Sequence, residues 1–369
     1  MYISDLKLTN YRNYEKEKIE FINGINIFIG GNAQGKTNLL EAVYYCSRGS
    51  SFKTVKDSDI IRHGFENASL DVQIIRNDRR KLIHIDIGKE KIITINDIRI
   101  NTLTDMKNQF DIVYFWPDHL RVVKDGPSLR RELIDEAIIT IRPSFKKMIQ
   151  NFDKLMSQRN SLLKKSQNQR YFKEQLTSIT KQISEIGSVI MIMRAKYIKI
   201  LNGISSKIHK DLSSGSEELE IVYLNSIGNS SLVQKEREEV AVELYERIMS
   251  SLETDLKCGF TTKGPHRDDI DLLINEKSSK IFASQGQQRS IILSIKLAEI
   301  EIVNAYNGSQ PILLLDDVFS ELDRKRRHKF LEKITNCQAL ITTNEVNSKE
   351  LSYFNNRLNI KKISEGRII

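Results

Sequence analysis

The segment with the clearest chemical signature is Gly30–Thr37, GGNAQGKT, which fits the P-loop pattern G-x-x-x-x-G-K-[ST]. Glycine permits the tight turn that points successive backbone N–H groups at phosphate oxygens. Lys36 would place a positive charge near the β- and γ-phosphates, and the Thr37 hydroxyl can bind Mg²⁺. An apolar strand precedes the loop and a helix follows, with its positive dipole end at the same anion. The pattern predicts a nucleotide site; the alternative is a chance glycine turn.

A second candidate site follows the apolar run PILLL, which ends at Asp316 and Asp317. A strand buried on both faces of a parallel sheet has this composition, and nucleotides bind at the carboxyl edge of such sheets. We expect Asp316 to bind Mg²⁺ and Asp317 to polarise an attacking water. The alternative is that the two acids cap a helix.

A third motif is the stretch FASQGQQRS, Phe282–Ser290, which precedes a long amphipathic helix. Its small polar residues and free N–H groups form an anion-receptive helix start. An ordinary Ser/Gly cap has much the same sequence, so this motif gains its meaning from the other two.

The elements that carry these motifs are of two kinds. Short strands with period-two alternation dominate the first part of the chain, Asn23-Gly24 has the form of a hairpin turn, and an α/β pattern returns after about Asp255. Between them, apolar residues recur with 3-4 spacing from Phe145 to Ile204 around a polar break. This predicts an antiparallel helical hairpin, or two helices on an ordinary core. We therefore predict segments 1–136, 137–254 and 255–369, the middle one a helical arm inserted into an α/β head.

The basic charge is concentrated in that arm. The chain has 369 residues and a net charge of +9, and the stretch 137–212 holds fifteen Lys/Arg against four acids. Nucleic acid is the favoured partner ahead of a membrane surface, and the alternative is a solvated helical face that binds nothing. The candidate DNA contacts are Lys146, Lys147, Lys154, Lys164, Lys165, Lys196 and Lys199.

The sequence also indicates where the protein works. The longest uncharged apolar run, Ile186–Met193, is far too short to span a membrane, and the first residues do not have the layout of a signal peptide. The three cysteines are widely spaced, which suits a reducing cytoplasm. We expect a cytoplasmic protein without a membrane segment.

Together these motifs resemble the RecF family of ABC-type ATPases, which is related to Rad50 and structural-maintenance-of-chromosomes heads. The resemblance covers nearly the whole chain and rests on five blocks: LTNYRNYEKEKIEFINGINIFIGGNAQGKTNLLEAVYYCSRGSSFKT, FWPDHLRVVKDGPSLRRELID, TTKGPHRDDIDL, SQGQQRSIILSIKLAE and LLLDDVFSELD. It implies an α/β ABC-type P-loop ATPase head, a mixed sheet with antiparallel strands, and an inserted all-helical arm. It also implies ATP and Mg²⁺ as cofactors. By resemblance, the ATP-contacting residues are Gly30, Gly31, Asn32, Ala33, Gln34, Gly35, Lys36, Thr37 and Asn38, joined by Arg12 and Asn13.

The resemblance further implies how two copies cooperate. An ATP-bound homodimer would clamp DNA, with the P-loop of one head facing the signature residues of the other. Slow, DNA-stimulated ATP hydrolysis would act as the dimerisation switch, in gap repair, replication and the SOS response. RecR and RecO would be partners in loading recombinase. The signature residues are Ser284, Gln285, Gly286 and Gln287, and the coupling loop contains Ser320 and Asp323.

Some positions depart from the family pattern. Lys53 stands where arginine is more common, and Asp118 and Thr343 are the nearest candidates for the transporter Q-loop and H-loop positions. The GPHRDD segment, with His266, Asp268 and Asp269, has ligand chemistry, but a structural turn is the favoured interpretation. Arg130 and Arg131 could equally contact phosphate or form ion pairs.

Other functions account for fewer features. A transporter nucleotide-binding subunit predicts a glutamate after Asp316 and a histidine switch, and neither is present. A chromosome structural protein needs a coiled coil of hundreds of residues. An ATPase fused to a nuclease needs a second catalytic domain, for which we expect no room after Asp323.

Overall fold

A computed structural model describes residues 1–100, 106, 109–164, 171–228, 232–317, 324–345 and 357–369. These residues form two compact units. Unit 1 consists of Met1–Leu120 and Ile292–Ile369, and unit 2 of Arg121–Ile291.

Strands belong to both units, most of them to unit 1. In chain order they are β1 (Tyr2–Tyr11), β2 (Tyr14–Glu20), β3 (Ile25–Ile29), β4 (Ala68–Arg76), β5 (Arg79–Ile87), β6 (Lys91–Ile95), β7 (Ile98–Arg99), β8 (Ile112–Phe115), β9 (Leu219–Leu224), β10 (Asp269–Ile274), β11 (Lys277–Ser278), β12 (Ile312–Asp316), β13 (Ala339–Thr343), β14 (Leu358–Ser364) and β15 (Arg367–Ile368).

The α-helices are α1 (Lys36–Arg48), α2 (Arg121–Lys124), α3 (Pro127–Ile141), α4 (Ser144–Lys164), α5 (Phe172–Leu212), α6 (Arg237–Ser250), α7 (Leu252–Cys258), α8 (Ser279–Phe282), α9 (Gln285–Asn307) and α10 (Arg324–Lys333). Short 3-10 helices cover Asp57–Ile60, Pro117–Leu120 and Pro265–Arg267.

Unit 1 contains two six-stranded sheets. One is antiparallel in the order β2-β1-β4-β5-β6-β7, and the other runs β15-β14-β3-β13-β12-β8 with all pairs parallel except β14–β15. Strand β4 alternates buried and half-buried residues, as its period-two pattern predicts, whereas β12 and β13 are buried throughout. The α/β head with antiparallel strands is therefore confirmed.

The hairpin prediction at Asn23-Gly24 is wrong. Strand β2 pairs with β1 in the antiparallel sheet, whereas β3 pairs with β13 and β14 in the parallel one. The segment is the crossing from one sheet to the other. The Asn26 side chain holds this crossing, because it bonds both the N–H (2.9 Å) and the carbonyl (3.0 Å) of Ile22. A local turn signal cannot show which sheet each flanking strand joins.

In unit 2, α4 and α5 pack as the predicted antiparallel hairpin. Arg159 of α4 contacts Thr180 of α5, and four residues further along α4, Leu163 contacts the earlier residues Phe172 and Leu176 of α5. The hairpin is not an isolated coiled coil, because α6 packs along α5 and the three-stranded sheet β11-β10-β9 lies in the same unit.

The two units also differ from the three segments predicted. Unit 2 begins before residue 137 and extends beyond residue 254, to Ile291. Long-range interactions connect these segments within unit 2: Arg130 of α3 pairs with Asp269 of β10, and Arg194 of α5 pairs with Asp135 of α3 and donates to the carbonyl of Pro265. These interactions connect segments that are far apart in the sequence, and hydrophobic periodicity does not reveal such contacts.

Candidate nucleotide-binding site

The candidate site lies at the carboxyl edge of the parallel sheet in unit 1. Residue Ile29 of β3 is paired with Thr343 of β13, and Thr342 of β13 with Asp316 of β12. The three strands therefore end side by side. The P-loop, Asn344 and Asp317 follow them directly, so the sheet brings together the motifs that the sequence places almost 300 residues apart.

The P-loop backbone depends on its glycines. Gly35 has φ 110°, and a Cβ there would lie 2.6 Å from Nδ2 of Asn13. A Cβ on Gly30 would lie 2.5 Å from the carbonyl oxygen of Ile363. Both positions therefore exclude a side chain, as the pattern predicts.

Lys36 is folded back onto its own loop. Its Nζ donates to the carbonyls of Gly30 (2.5 Å) and Gly31 (3.0 Å) and to Oδ1 of Asn344 (2.6 Å). Burial lowers the pKa of this amine, while the carboxylates of Asp317 and Asp316 act in the opposite direction. Among the described residues, the hydrogen bonds of this buried cation all go to neutral oxygens, and an anion would be a stronger partner.

Asn344 is a site residue that the sequence motifs did not indicate, since its neighbour Thr343 was the candidate there. The hydroxyl of Thr343 donates to the carbonyl of Glu345 at 2.9 Å, whereas the Asn344 side chain contacts Lys36. The position of Asn344 directly after β13, the strand next to the P-loop strand β3, could have indicated this residue.

Asp316 and Asp317 have different environments. Asp316 is 9% exposed and its Oδ1 accepts a hydrogen bond from the hydroxyl of Thr342 at 2.5 Å. Asp317 has φ 51°, an uncommon conformation outside glycine, and its N–H donates to the carbonyl of Thr342 at 3.1 Å.

Arg12 and Asn13 lie on the turn between β1 and β2 and have separate partners. Arg12 holds the buried carboxylate of Glu41 with Nε (3.0 Å) and NH2 (2.6 Å). Asn13 donates from Nδ2 to the carbonyl of Gln34 at 3.0 Å and accepts from Nδ2 of Asn38 at 2.9 Å. Asn13 therefore contacts the loop itself, whereas Arg12 supports the helix behind it.

Lys53 adds a further hydrogen bond to the Asn13–Asn38 pair. Its Nζ donates to Oδ1 of Asn38 at 3.1 Å, and burial lowers the pKa of its ammonium. The lysine thus contacts the residue that directly follows the P-loop threonine. Asp118 lies in the first turn of the 3-10 helix Pro117–Leu120 and is exposed.

Aromatic side chains gather at the end of β8, and no sequence motif pointed to them. The ring of Phe52 lies 3.6 Å from that of Trp116, and Tyr114 packs edge-on against both Tyr44 (4.9 Å) and Trp116 (4.9 Å). The aromatic residues in two of the five sequence blocks could have indicated this cluster.

The signature residues belong to unit 2 and start α9. The Ser284 hydroxyl accepts from the N–H of Gln287 at 3.2 Å, and Oε1 of Gln287 accepts from the N–H of Ser284 at 2.8 Å. This reciprocal arrangement is a capping box, so the Ser/Gly cap considered from sequence is present. Ser284 and Gln285 are exposed, and Gly286 and Gln287 are half-buried.

The predicted DNA contacts are mostly at the surface of unit 2. Lys147, Lys154, Lys164, Lys196 and Lys199 are exposed. Lys146 is half-buried and lines a cavity of about 380 Å³ with acidic neighbours that include Glu132 and Glu136. Lys165, Ser320 and Asp323 lie outside the described residues.

The GPHRDD segment is a structural turn. Asp269 forms a two-point ion pair with Arg130 (2.7 and 2.9 Å), and Asp268 accepts hydrogen bonds from Tyr223 and from the N–H of Ser226. Burial lowers the pKa of His266 to about 4. Within the described residues, no three acidic, histidine or cysteine side chains are placed to hold a metal ion.

The sheet order and the P-loop define the class of ABC-type ATPase heads, and comparison with known proteins supports this class. The family model of the RecF/RecN/SMC N-terminal domain matches residues 2–366. The DNA replication and repair protein RecF of Acetivibrio thermocellus is 40% identical, and that of Clostridium novyi 38%; each comparison covers the whole of this chain and 99% of the relative. This chain belongs to the RecF family of DNA replication and repair proteins.

Solved structures extend the comparison to three dimensions. The recombination mediator protein RecF with ATP, of the RecFOR pathway, is 33% identical and superimposes with a TM-score of 0.89 over the whole of this chain and 97% of that one. An Smc head domain with an extended coiled coil from Pyrococcus furiosus is 16% identical with a TM-score of 0.57, covering 100% and 96% of the two chains; it supports the fold alone.

Among the described helices, none combines the length and the hydropathy needed to cross a bilayer.

Proposed function

We propose that this protein is an ATP-dependent DNA-binding recombination mediator whose ATP-bound dimer clamps DNA. The observation that carries the proposal is the placement of Lys36 among neutral oxygens at the edge where β3, β12 and β13 end. The similarity to RecF with ATP favours ATP as the ligand. Gap repair, support of recombinase loading, DNA replication and the SOS response are the processes it would serve.

Each residue of the site has a defined task in this proposal. The N–H groups of the loop and the Lys36 ammonium bind the β- and γ-phosphates, since a helix start and a buried cation both favour anions. Asp317 orients and polarises the attacking water. Its side chain is one methylene shorter than the glutamate of transporter ATPases, so hydrolysis is slow and serves as a switch for dimer release, stimulated by DNA.

The residues present suit Mg²⁺ as the second cofactor. A threonine hydroxyl at Thr37 and a carboxylate at Asp316 are hard oxygen donors, the type that Mg²⁺ prefers when phosphates supply further ligands. The Asp316 carboxylate has one oxygen engaged by Thr342. When bound, the ion would neutralise phosphate charge.

The second half of each ATP site would come from another copy of the chain. The start of α9, with Ser284, Gln285, Gly286 and Gln287, offers the positive end of the helix dipole and the Ser284 hydroxyl to the γ-phosphate in trans. DNA would bind the lysine-rich helices of unit 2, and RecR and RecO would be the protein partners.

Sedimentation velocity with and without ATP·Mg²⁺ tests the proposal. We expect the wild type to shift from monomer to dimer with ATP, and Lys36→Ala and Ser284→Arg to remain monomeric. Ser161→Arg is the matched control, because Ser161 is an exposed serine of α4 outside the signature segment. A wild type that binds ATP and stays monomeric would remove the clamp and leave only the nucleotide site.

A further inference from the structure

The hairpin formed by β14 and β15 is built directly onto the P-loop. Strand β14 pairs with β3, with Lys362 opposite Ile29, the last residue before the loop. The chain then reverses at Glu365 and Gly366 so that β15 pairs with β14. Both turn residues have positive φ, 51° and 74°, which is the pattern of a tight hairpin turn.

The two N–H groups of this turn bind the same P-loop residue. The N–H of Glu365 donates to Oε1 of Gln34 at 2.6 Å, and the N–H of Gly366 donates to its backbone carbonyl at 3.0 Å. Nδ2 of Asn13 donates to the same carbonyl. Gln34 is therefore held at its side chain and its backbone by groups outside the loop.

Holding that carbonyl has a consequence for the next residue. In a trans peptide the C=O of one residue and the N–H of the next point in opposite directions, and the described peptide bonds are all trans. Because the Gln34 carbonyl is fixed on the hairpin, the N–H of Gly35 must point away from it. The hydroxyl of Tyr14 donates to the Gly35 carbonyl at 2.9 Å and constrains the N–H of Lys36 in the same way.

The hairpin packs closely against the neighbouring backbone. A Cβ on Gly366 would lie 2.4 Å from the carbonyl oxygen of Asn13. Similarly, a Cβ on Gly30 would lie 2.5 Å from the carbonyl oxygen of Ile363 in β14. The turn therefore sits between the β1–β2 turn and the P-loop, in contact with both.

We infer that the Glu365–Gly366 turn is a positioning element for the P-loop, which aims the N–H groups of Gly35 and Lys36 at the phosphates. The inference rests on the proposed function, because it takes ATP to be the ligand of that loop. Its residues contact the loop at Gln34 and would act on a bound nucleotide through that residue.

Gly366→Ala tests this inference against Gly308→Ala. Both glycines have similar left-handed backbones, φ 74° and 65°, but a Cβ on Gly308 meets nothing within 4 Å. Alanine thus adds the same backbone strain at both positions and displaces a neighbour only at Gly366. The readouts are the ATP dissociation constant by calorimetry, and hydrogen exchange of the peptide covering residues 30–37 without nucleotide.

We expect Gly366→Ala to weaken ATP binding by about tenfold or more, the order of one hydrogen bond to a charged group. Exchange in the loop should quicken as well, whereas Gly308→Ala should match the wild type in both readouts. Equal affinities and equal exchange for the two variants would overturn the inference.

Two further measurements keep the outcomes separate. If Gly366→Ala does not fold, Gln34→Met replaces it, since methionine fills similar space without the acceptor for the Glu365 N–H. Unchanged ATP affinity in Gln34→Met would count against the inference. A wild type that fails to bind ATP contradicts the proposed function itself, whereas a wild type that binds ATP with a Gly366→Ala variant of equal affinity contradicts only the positioning role.

Discussion

At the scale of single residues, the candidate site contains two carboxylates with separable tasks. Asp316 is tied to Thr342 through its side chain, and Asp317 is tied to the same residue through its backbone N–H. The Asp317 backbone bond does not depend on the identity of the side chain, so Asp317→Asn keeps this link to β13.

We predict that Asp317→Asn binds ATP normally and loses hydrolysis by about 100-fold or more, since an amide cannot accept a proton from water. Phosphate release and calorimetric titration with ATP measure the two effects. Thr342→Val serves as the contrasting variant, because it removes the hydroxyl that holds Asp316, and we expect it to alter Mg²⁺-dependent binding. Retained turnover in Asp317→Asn would assign the water-orienting role to another group.

His84 gives a pH prediction at the same scale. Burial acts to lower its pKa, but its hydrogen bonds to Asp86 (2.9 Å) and Asp71 (2.7 Å) prevail and raise it. A raised folded-state pKa adds stability that is complete below the unfolded value of about 6.5 and is lost as pH rises through the folded value. We expect the difference in unfolding free energy between wild type and His84→Gln to be larger at about pH 6 than at about pH 9. Urea unfolding at both pH values measures it, and a difference that grows with pH would contradict the assignment.

At the scale of secondary-structure elements, a buried ion pair ties α4 to α7. NH1 of Arg159 donates to Oδ2 of Asp255 and to the hydroxyl of Thr261, each at 2.7 Å, and both Arg159 and Asp255 are 0% exposed. Burial lowers the pKa of Arg159, although its hydrogen bond and charge attraction with Asp255 oppose the shift. The arginine lies in the seam register of α4, where the apolar pattern predicts a hydrophobic residue.

We predict that Arg159→Met destabilises the protein by about 3–5 kcal/mol, because it leaves Asp255 as an unpaired buried charge. The double variant Arg159→Met with Asp255→Leu should recover much of that loss. Urea unfolding of each variant measures the change, with Lys18→Met as control, since Lys18 pairs with Glu20 at the surface. The N–H and hydroxyl of Thr262 donate to Oδ1 of Asp255. A double variant as unstable as the single one would show that the hydrogen bonds with Thr261 and Thr262, and not the charge, dominate.

At the scale of the whole molecule, the separation of charge is the main feature. The basic excess of the sequence lies within 137–212, which belongs to unit 2, while the P-loop, Asp316 and Asp317 lie in unit 1. DNA is therefore expected to contact unit 2, whereas the P-loop side of the ATP site lies in unit 1. A change to the arm lysines should leave the P-loop unaffected.

We predict that the triple variant Lys154→Gln, Lys196→Gln, Lys199→Gln weakens DNA binding and lowers the slope of log affinity against log salt by up to about 3, near 0.9 for each phosphate that a lysine neutralises. The matched control changes the same net charge elsewhere, with Lys16→Gln, Lys89→Gln and Lys277→Gln, all exposed. ATP affinity should be the same in both. Equal salt slopes for the two triple variants would remove these arm lysines from the DNA interface.

Local sequence determined the parts of this protein that depend on neighbours along the chain. The P-loop glycines, the alternation of β4, the fully buried β12 and the 3-4 spacing of α4 and α5 were all readable, because each follows from backbone geometry or from a repeating buried face.

Only the tertiary structure decided which distant segments meet. The crossing at Asn23-Gly24, the contact of Asn344 with Lys36, the hairpin on Gln34 and the extent of unit 2 all depend on sheet order or on ion pairs between residues far apart in sequence. Such contacts leave no periodic signal, because a strand or an arginine has the same local sequence whichever partner it finds. The sequence therefore indicated the chemistry of the site, and the fold determined which residues support it.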